Sequence, residues 1–138
     1  MSIVRLEPYL FFQGNCREAM EFYKDVFGGE LAMQTIGEVP GDMPGKAERK
    51  DEIMHAKLSG GMASFMASDS PTASPSAAKI ELSLNGTDET ALRSAFDKLA
   101  EGGNVRTPLE RMFWGDVFGA LTDKYGIDWM VNIESSRG

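Results

Sequence analysis

The chain contains one histidine, His55, and this side chain is the first candidate for chemistry. An imidazole titrates near neutral pH, so His55 could act as a general base or as a lone metal ligand. The carboxylates of Glu81 and Asp116 could meet it across a sheet and take part in proton transfer. Alternatively, His55 is a hydrogen-bonded strand residue. The carboxylates could likewise form structural ion pairs with a basic residue: Lys57, Lys79 or Arg111.

Large apolar and sulfur-containing side chains form a second group of candidates. Trp114 precedes a glycine that allows close approach, so it could form the wall of a pocket for a flat or apolar ligand. Met66 and Met130, two of nine methionines, could give the pocket an adaptable lining. Core packing is the alternative for all three. Lys79 and Asn132 complete the predicted ligand-binding set.

Other reactive groups and motifs are few. Cys16, the single cysteine, cannot form an internal disulfide. At the first turn of a predicted helix its thiolate would be favoured by the helix dipole, but no His or Asn lies near it in sequence, so an unreactive surface or boundary thiol is expected. The chain has no P-loop, no G-x-G-x-x-G turn and no G-x-S-x-G elbow. The sequence therefore gives no support for nucleotide cofactors or hydrolase chemistry.

The candidate residues are carried by a strand-helix-strands pattern that occurs twice. An extended apolar run at residues 3–12 leads into a predicted helix at residues 15–27, and residues 79–86 lead into another at residues 87–101. Each helix ends at a Gly-Gly pair. Two such units, neither able to cover its own sheet, must pack together, and their junction is a natural place for a small molecule.

Local patterns predict the helix start and the loops. Asn15, with Glu18 three positions later, is typical of a capping box. Residues 37–51, rich in Gly, Pro and charge, are predicted to be a surface loop, either a lid or a solvated insertion. The Ser/Pro/Ala-rich residues 70–78 are a predicted linker between module 1, residues 1–69, and module 2, residues 79–138.

Alternation predicts which strand residues face a cleft. The first strand is apolar on both faces and is expected to be buried. Around His55, the cleft-facing residues are Ile53 and Lys57, whereas Met54 should face a helix. Glu81 faces the cleft in module 2. There, two sets of strand residues are expected to lie on different faces: Trp114, Asp116 and Phe118 on one, and Asp128, Met130 and Asn132 on the other.

Several segments together resemble one known family: PYLFF, EAMEFYKDVFGGE, HAKL, LSLNG and, most specifically, FWGDVFGALTDKYGIDWMVNI. They are similar to the PhnB-like branch of the glyoxalase/bleomycin-resistance superfamily, also called vicinal oxygen chelate proteins. The resemblance implies an α+β fold of two βαβββ modules that form a curved mixed sheet with a central cleft. It also implies a homodimer.

The resemblance further implies four positions for metal ligands, near Pro8, Phe65 or Met66, Lys79 and Met130. None of these side chains is a carboxylate, imidazole or amide, which are the groups that hold hard or borderline cations. We therefore expect no usual metal centre and no cofactor. A divalent metal stays open as an alternative.

Bulk properties exclude some partners. A net charge of −7 over 138 residues, with scattered basic residues, argues against nucleic acid and modestly favours a basic ligand. No apolar run approaches the ~20 residues of a membrane span, and no secretory signal is visible, so a cytoplasmic location is expected. The leading hypothesis is a small-molecule-binding protein. The alternatives are an enzyme that uses His55 with Glu81 or Asp116 for proton abstraction or isomerisation, and an assembly module without a ligand.

Overall fold

Two helices of equal length, each set against a four-stranded sheet, organise the part of the chain that the computed structural model describes: residues 6–42, 44–70 and 80–134. The chain divides into two units, Met1–Pro75 and Ser76–Gly138. The boundary falls inside the predicted linker. Lys79, a predicted ligand contact, lies outside the described residues.

Module 1, the described part of the first unit, contains one sheet in the strand order β1-β4-β3-β2. Strand β1 runs parallel to β4, whereas β3 is antiparallel to both of its neighbours. The helix packs against β2, β3 and β4, so it covers one face of the sheet. The elements are β1 (Tyr9–Phe12), α1 (Cys16–Phe27), β2 (Glu30–Thr35), β3 (Ile53–Ser59) and β4 (Phe65–Asp69).

Module 2, the described part of the second unit, repeats this plan with the order β5-β8-β7-β6. Strand β5 runs parallel to β8, and β7 is antiparallel to β8 and β6. The elements are β5 (Leu82–Gly86), α2 (Glu89–Ala100), β6 (Asn104–Arg111), β7 (Val117–Thr122) and β8 (Asp128–Ile133). The predicted fold class, α+β with two βαβββ modules, is confirmed.

The buried face of each helix is the one that the apolar spacing predicts. Burying one large apolar side chain stabilises the folded state by about 1.5–3 kcal/mol, so these faces hold each helix on its sheet. In module 1 the ring of Tyr23 meets Phe65 of β4 edge-on, with centroids 5.5 Å apart. The buried helix residues include Ala19, Met20, Tyr23, Val26 and Phe27 in α1, and Leu92, Ala95, Phe96 and Leu99 in α2.

The centre of module 2 is filled by Trp129 of β8, one of the largest buried side chains. Its indole N–H donates a hydrogen bond to the buried carboxylate of Asp123 at 2.8 Å. The other oxygen of Asp123 accepts from the backbone N–H groups of Tyr125 and Ile127, at 2.8 and 3.1 Å. This carboxylate therefore holds both the turn at residues 123–126 and the Trp129 side chain in place.

Asn15 occupies the N-cap position of α1, as predicted, but Asp69 accepts the first N–H of the helix. The Asn15 side chain makes no capping hydrogen bond to the described helix. One oxygen of Asp69, at the end of β4, accepts from the backbone N–H groups of Gly14 and Cys16 at 2.8 and 2.9 Å. Its other oxygen accepts from Ile53 at 2.8 Å. The predicted N-cap residue is therefore right and the predicted capping-box hydrogen bond is wrong, because the carboxylate of Asp69, distant in sequence, accepts the N–H of Cys16.

The segment between β2 and β3 is a loop whose two ends are joined by a backbone hydrogen bond. It begins with a short 3-10 turn, Ile36–Glu38. The backbone N–H of Ile36 donates to the carbonyl of Glu52 at 2.8 Å, which joins the two ends of the loop. The ammonium of Lys46 donates to two carbonyls within the loop, those of Val39 and Gly41. A role as a lid stays a prediction.

Candidate functional site

Each sheet has a face opposite its helix, which we call the open face of the module. Strand β1 alternates between the two faces: Leu10 and Phe12 are buried, whereas Tyr9 and Phe11 are 38% and 58% exposed. The prediction that this strand is buried on both faces is therefore wrong. Two neighbouring aromatic rings left uncovered form an apolar surface that a ligand could cover.

A β-bulge in β3 decides which residues join this open face. Gln34 pairs with His55 and Thr35 pairs with Ile53, so Met54 is the extra residue. Ile53 is fully buried, whereas Met54 is exposed. The predicted directions of Ile53 and Met54 are wrong, because the bulge interrupts the alternation between them and His55.

His55 lies beside the exposed aromatic rings. Its Nδ1 atom is 3.4 Å from the hydroxyl oxygen of Tyr9, and the two ring centroids are 6.0 Å apart. The Tyr9 ring in turn lies 5.0 Å from that of Phe11, at an interplanar angle of 36°. The three rings form a continuous aromatic cluster, which we call the Tyr9 cluster.

Strand pairing places a sulfur and a cation next to the Tyr9 cluster. Tyr9 pairs with Met66, and Met66 pairs with Lys57, so these three residues lie in one row across β1, β4 and β3. Ala32 of β2 continues the row. The open face of module 1 therefore changes along this row from aromatic to thioether to ammonium.

The ammonium of Lys57 is only loosely held by its neighbour. Its Nζ atom lies 3.8 Å from a carboxylate oxygen of Glu7, and the Lys57 and Glu7 side chains are 37% and 16% exposed. Glu7 also accepts a hydrogen bond from the hydroxyl of Ser64 at 2.8 Å. An ion pair with this exposure contributes about 1 kcal/mol at most. Lys57 can therefore exchange this contact for one with a ligand.

A depression of about 430 Å³ lies beside Lys57 at the β2 edge of module 1. Lys24, from the last turn of α1, lines its other side, and Glu30 and Ala32 contribute from β2. It extends the polar end of the row that starts at Tyr9.

Glu81, a predicted catalytic carboxylate of module 2, is engaged in an ion pair. Its Oε1 accepts from a guanidinium nitrogen of Arg106 at 2.9 Å, and both side chains are about one-third exposed. The same guanidinium donates to the carbonyl of Leu121 at 3.1 Å. The ion-pair alternative is thus present, although Arg106 was not among the expected partners.

Asp116 and Asn132 form a polar pair on the open face of module 2. The amide of Asn132 donates to Asp116 at 3.1 Å. Phe118 pairs with Asn132, so both lie on one face, and the predicted assignment of these strand residues to different faces is wrong. Met130 of β8 is half-buried, two positions before Asn132. The catalytic role of Asp116 and the ligand contacts of Asn132 and Met130 stay predictions.

Trp114 lies in the turn between β6 and β7 rather than in a strand. It is 53% exposed, next to Phe113, which is 97% exposed, and the two rings meet edge-on with centroids 4.9 Å apart. This exposure contradicts the core-packing alternative. A ligand-binding role for Trp114 stays a prediction.

The positions that the resemblance implies for metal ligands do not fit a hard divalent cation. Phe65 is buried in the core and has no donor atom, and Met66 offers only a thioether on the open face. Pro8 has no side-chain donor, and Met130 again offers sulfur. Among the described residues, no group of three or more His, Cys, Asp or Glu is placed to hold a metal ion.

Cys16 is fully buried at the start of α1. Burial, and secondarily the negative charge of Asp69, raises the pKa of its thiol from 9.0 to about 12. The expected stabilisation of the thiolate is wrong, because a helix dipole of about 0.3–1 kcal/mol changes a pKa by less than one unit.

Tyr9, Phe11 and Asp69 were missed as important residues. Because the run YLFF is apolar at every position, periodicity could not show that its first and third residues are exposed. Asp69 did carry a usable signal, since it is an acidic residue at the end of a strand that begins with three apolar residues.

Comparison with known proteins identifies the family. The profile of the Glyoxalase/Bleomycin resistance protein/Dioxygenase superfamily matches residues 5–131. The chain belongs to this superfamily. Protein YjdN of Escherichia coli (strain K12) is 32% identical over 138 residues, which cover 93% of this chain and 94% of YjdN.

Solved structures of the superfamily fold agree with this assignment. Protein PA1353 from Pseudomonas aeruginosa is 41% identical, with a TM-score of 0.81, covering 96% of this chain and 98% of PA1353. A PhnB protein from Bacillus cereus is 26% identical, with a TM-score of 0.74, covering 95% of this chain and 100% of that protein. The predicted resemblance to the PhnB-like branch is confirmed. No helix within the described ranges has the length and apolar character to cross a membrane.

Proposed function

We propose that this superfamily member binds a small, flat aromatic molecule on the open face of module 1, without a divalent metal. The observation that supports this proposal best is the Tyr9 cluster, whose Tyr9 and Phe11 rings are left exposed by the fold. An aromatic ligand stacked on such rings gains about 0.5–1.5 kcal/mol per ring pair beyond the burial of apolar surface. The thioether of Met66, in the same row, can adapt to the ligand edge.

The proposal of metal independence rests on the donor chemistry of the implied ligand positions. Proline, phenylalanine and methionine side chains at these places favour stacking and apolar contact over cation binding. Association as a homodimer is a further part of the proposal and rests on the family resemblance alone.

Removal of the Phe11 ring tests the proposal. The neutral probe 2-naphthol is titrated calorimetrically into the wild type, Phe11→Ala and Phe113→Ala. Phe113 is a matched control, because it is an equally large exposed ring in module 2. We expect saturable binding to the wild type, roughly two- to tenfold weaker binding to Phe11→Ala, and no change in Phe113→Ala. No binding to the wild type, or an equal loss in both variants, would contradict the proposal.

The contact between His55 and Tyr9 favours a second candidate function, proton transfer by His55. A tyrosine hydroxyl 3.4 Å from Nδ1 can orient the imidazole and favour one tautomer. His55 belongs to module 1, whereas Glu81 and Asp116 belong to module 2, and their joint action is part of this second proposal.

Metal analysis separates the two candidates. The purified protein and His55→Ala are dialysed with Ni²⁺, Zn²⁺ or Mn²⁺, and bound metal is measured. Stoichiometric metal that is lost in His55→Ala would favour the metal-assisted enzyme. No retained metal, with probe binding unchanged in His55→Ala, would remove the metal-assisted role of His55 and its role in ligand recognition.

A further inference from the structure

The open face of module 1 is aromatic at Tyr9 and cationic at Lys57. We propose that its preferred ligand is an aromatic carboxylate whose anionic end contacts Lys57. This inference rests on the proposed binding function of the same face. It adds the chemical class of the ligand and the residue that selects it.

The register of the sheet gives the spacing that the ligand must match. Tyr9, Met66 and Lys57 occupy one row on three adjacent strands. Neighbouring strands lie about 4.8 Å apart, so the backbone of Lys57 is roughly 10 Å from that of Tyr9. A fused two-ring compound stacked over Tyr9 and Phe11 therefore brings a substituent at its far end to the ammonium.

The ammonium of Lys57 is the charged donor in the row that begins at Tyr9. An ammonium has three N–H groups, and the long contact of Lys57 with Glu7 engages only one side of it. Glu7 itself is largely covered and also accepts from Ser64, so it is a poor site for a cationic ligand. His55 is in contact with Tyr9 through Nδ1, which leaves Nε2 on the opposite side of its ring.

The depression next to Lys57 gives the anionic group room. Two lysines, Lys24 and Lys57, and one carboxylate, that of Glu30, line it. The net charge of −7 favours cations at long range, but salt screens such effects beyond about 8 Å. The groups in contact distance therefore decide the preference.

Three matched probes test the inference: 2-naphthoate, its neutral amide 2-naphthamide, and the cation 2-naphthylmethylammonium. They are titrated calorimetrically into the wild type, Lys57→Met and Lys50→Met. Lys50 is an exposed lysine of the loop between β2 and β3, so its replacement changes the net charge equally. We expect the wild type and Lys50→Met to bind naphthoate about fivefold more tightly than the amide, and Lys57→Met to bind both alike.

A charge reversal keeps the test decisive if Lys57→Met does not fold. Lys57→Glu should turn the preference toward the ammonium probe, with the circular dichroism spectrum unchanged. Equal wild-type binding of all three probes, or tighter binding of the ammonium, would overturn the inference. The proposed function would then survive if the neutral amide still depended on Phe11. No binding of any probe would overturn both.

Discussion

Asp69 shows how much of module 1 can depend on one side chain. Its carboxylate accepts backbone N–H groups from the segment before α1, from α1 itself and from the start of β3, while its own backbone ends β4. Three elements distant in sequence therefore meet at one buried anion. Hydrogen bonds to a charged group are worth about 1.5–3 kcal/mol, more than neutral ones.

Replacing this carboxylate by an amide should destabilise the protein strongly. In Asp69→Asn one oxygen still accepts, but the amide NH₂ group faces a backbone donor, so a buried N–H loses its partner. We expect the free energy of unfolding in urea to fall by roughly 2–3 kcal/mol. Asp88→Asn is the control, because Asp88 caps α2 through Ala91 at an exposed position where asparagine caps equally well. Similar losses in both variants would contradict this role of Asp69.

Cys16 predicts a pH dependence of stability at alkaline pH. Its thiol pKa is about 12 in the folded protein, raised by burial and then by Asp69. The folded state therefore holds the proton more tightly than the unfolded state. The protonated thiol contributes fully to the free energy of unfolding below about pH 9, and this contribution is lost as the pH rises toward 12. Between pH 8 and pH 10.5, the free energy of unfolding measured in urea should fall more steeply with pH for the wild type than for Cys16→Ala. Equal slopes would show that the thiol does not titrate differently on unfolding.

At the scale of elements, the turn after α1 and the turn between β3 and β4 come into backbone contact. The N–H of Met62 donates to the carbonyl of Phe27 at 2.9 Å. A Cβ atom added to Gly61 would lie 2.5 Å from the carbonyl oxygen of Gly28, a distance that real Cβ atoms do not tolerate. The Gly28-Gly29 pair, read from the sequence as a helix end, therefore also lies where two turns pack closely.

This contact makes Gly61→Ala a disruptive substitution. Because the clash is with backbone, no side chain can rotate away, and we expect a loss of about 2–3 kcal/mol in urea unfolding. Gly86→Ala is the matched control, since its Cβ would meet Leu92 at an ordinary 3.7 Å. Neither glycine has a positive φ, so the two variants differ in how closely the added Cβ atom approaches its neighbour and not in backbone strain. A Gly61→Ala protein as stable as Gly86→Ala would rule out the packing argument.

Helices were easier to predict than strand faces for a physical reason. The apolar face of α1 or α2 is made of several residues at a spacing of about 3.6 residues, so one irregular position does not hide it. A strand face depends on strict alternation, and one bulge at Met54 was enough to misplace Ile53. In β1, where every residue is apolar, alternation carried no information about Tyr9 and Phe11.

At the scale of the whole molecule, the repeated strand-helix-strands pattern predicted the fold, because the same strand order recurs in both modules. The candidate site was less accessible from the sequence. His55 could be singled out as the only histidine, but its contact with Tyr9, 46 residues earlier, depends on β4 pairing with both β1 and β3. Likewise, Glu81 looked available until Arg106, 25 residues later, proved to be its partner.

The placement of the two tryptophans has an optical consequence. Trp129 is buried in module 2, whereas Trp114 lies in a solvent-exposed turn of the same module. Native fluorescence therefore combines a blue-shifted emitter with a red-shifted one, and a dissolved quencher should reach only the second. Module 1 has tyrosines but no tryptophan, so Tyr9 is the fluorophore that its aromatic face itself supplies for following ligand capture.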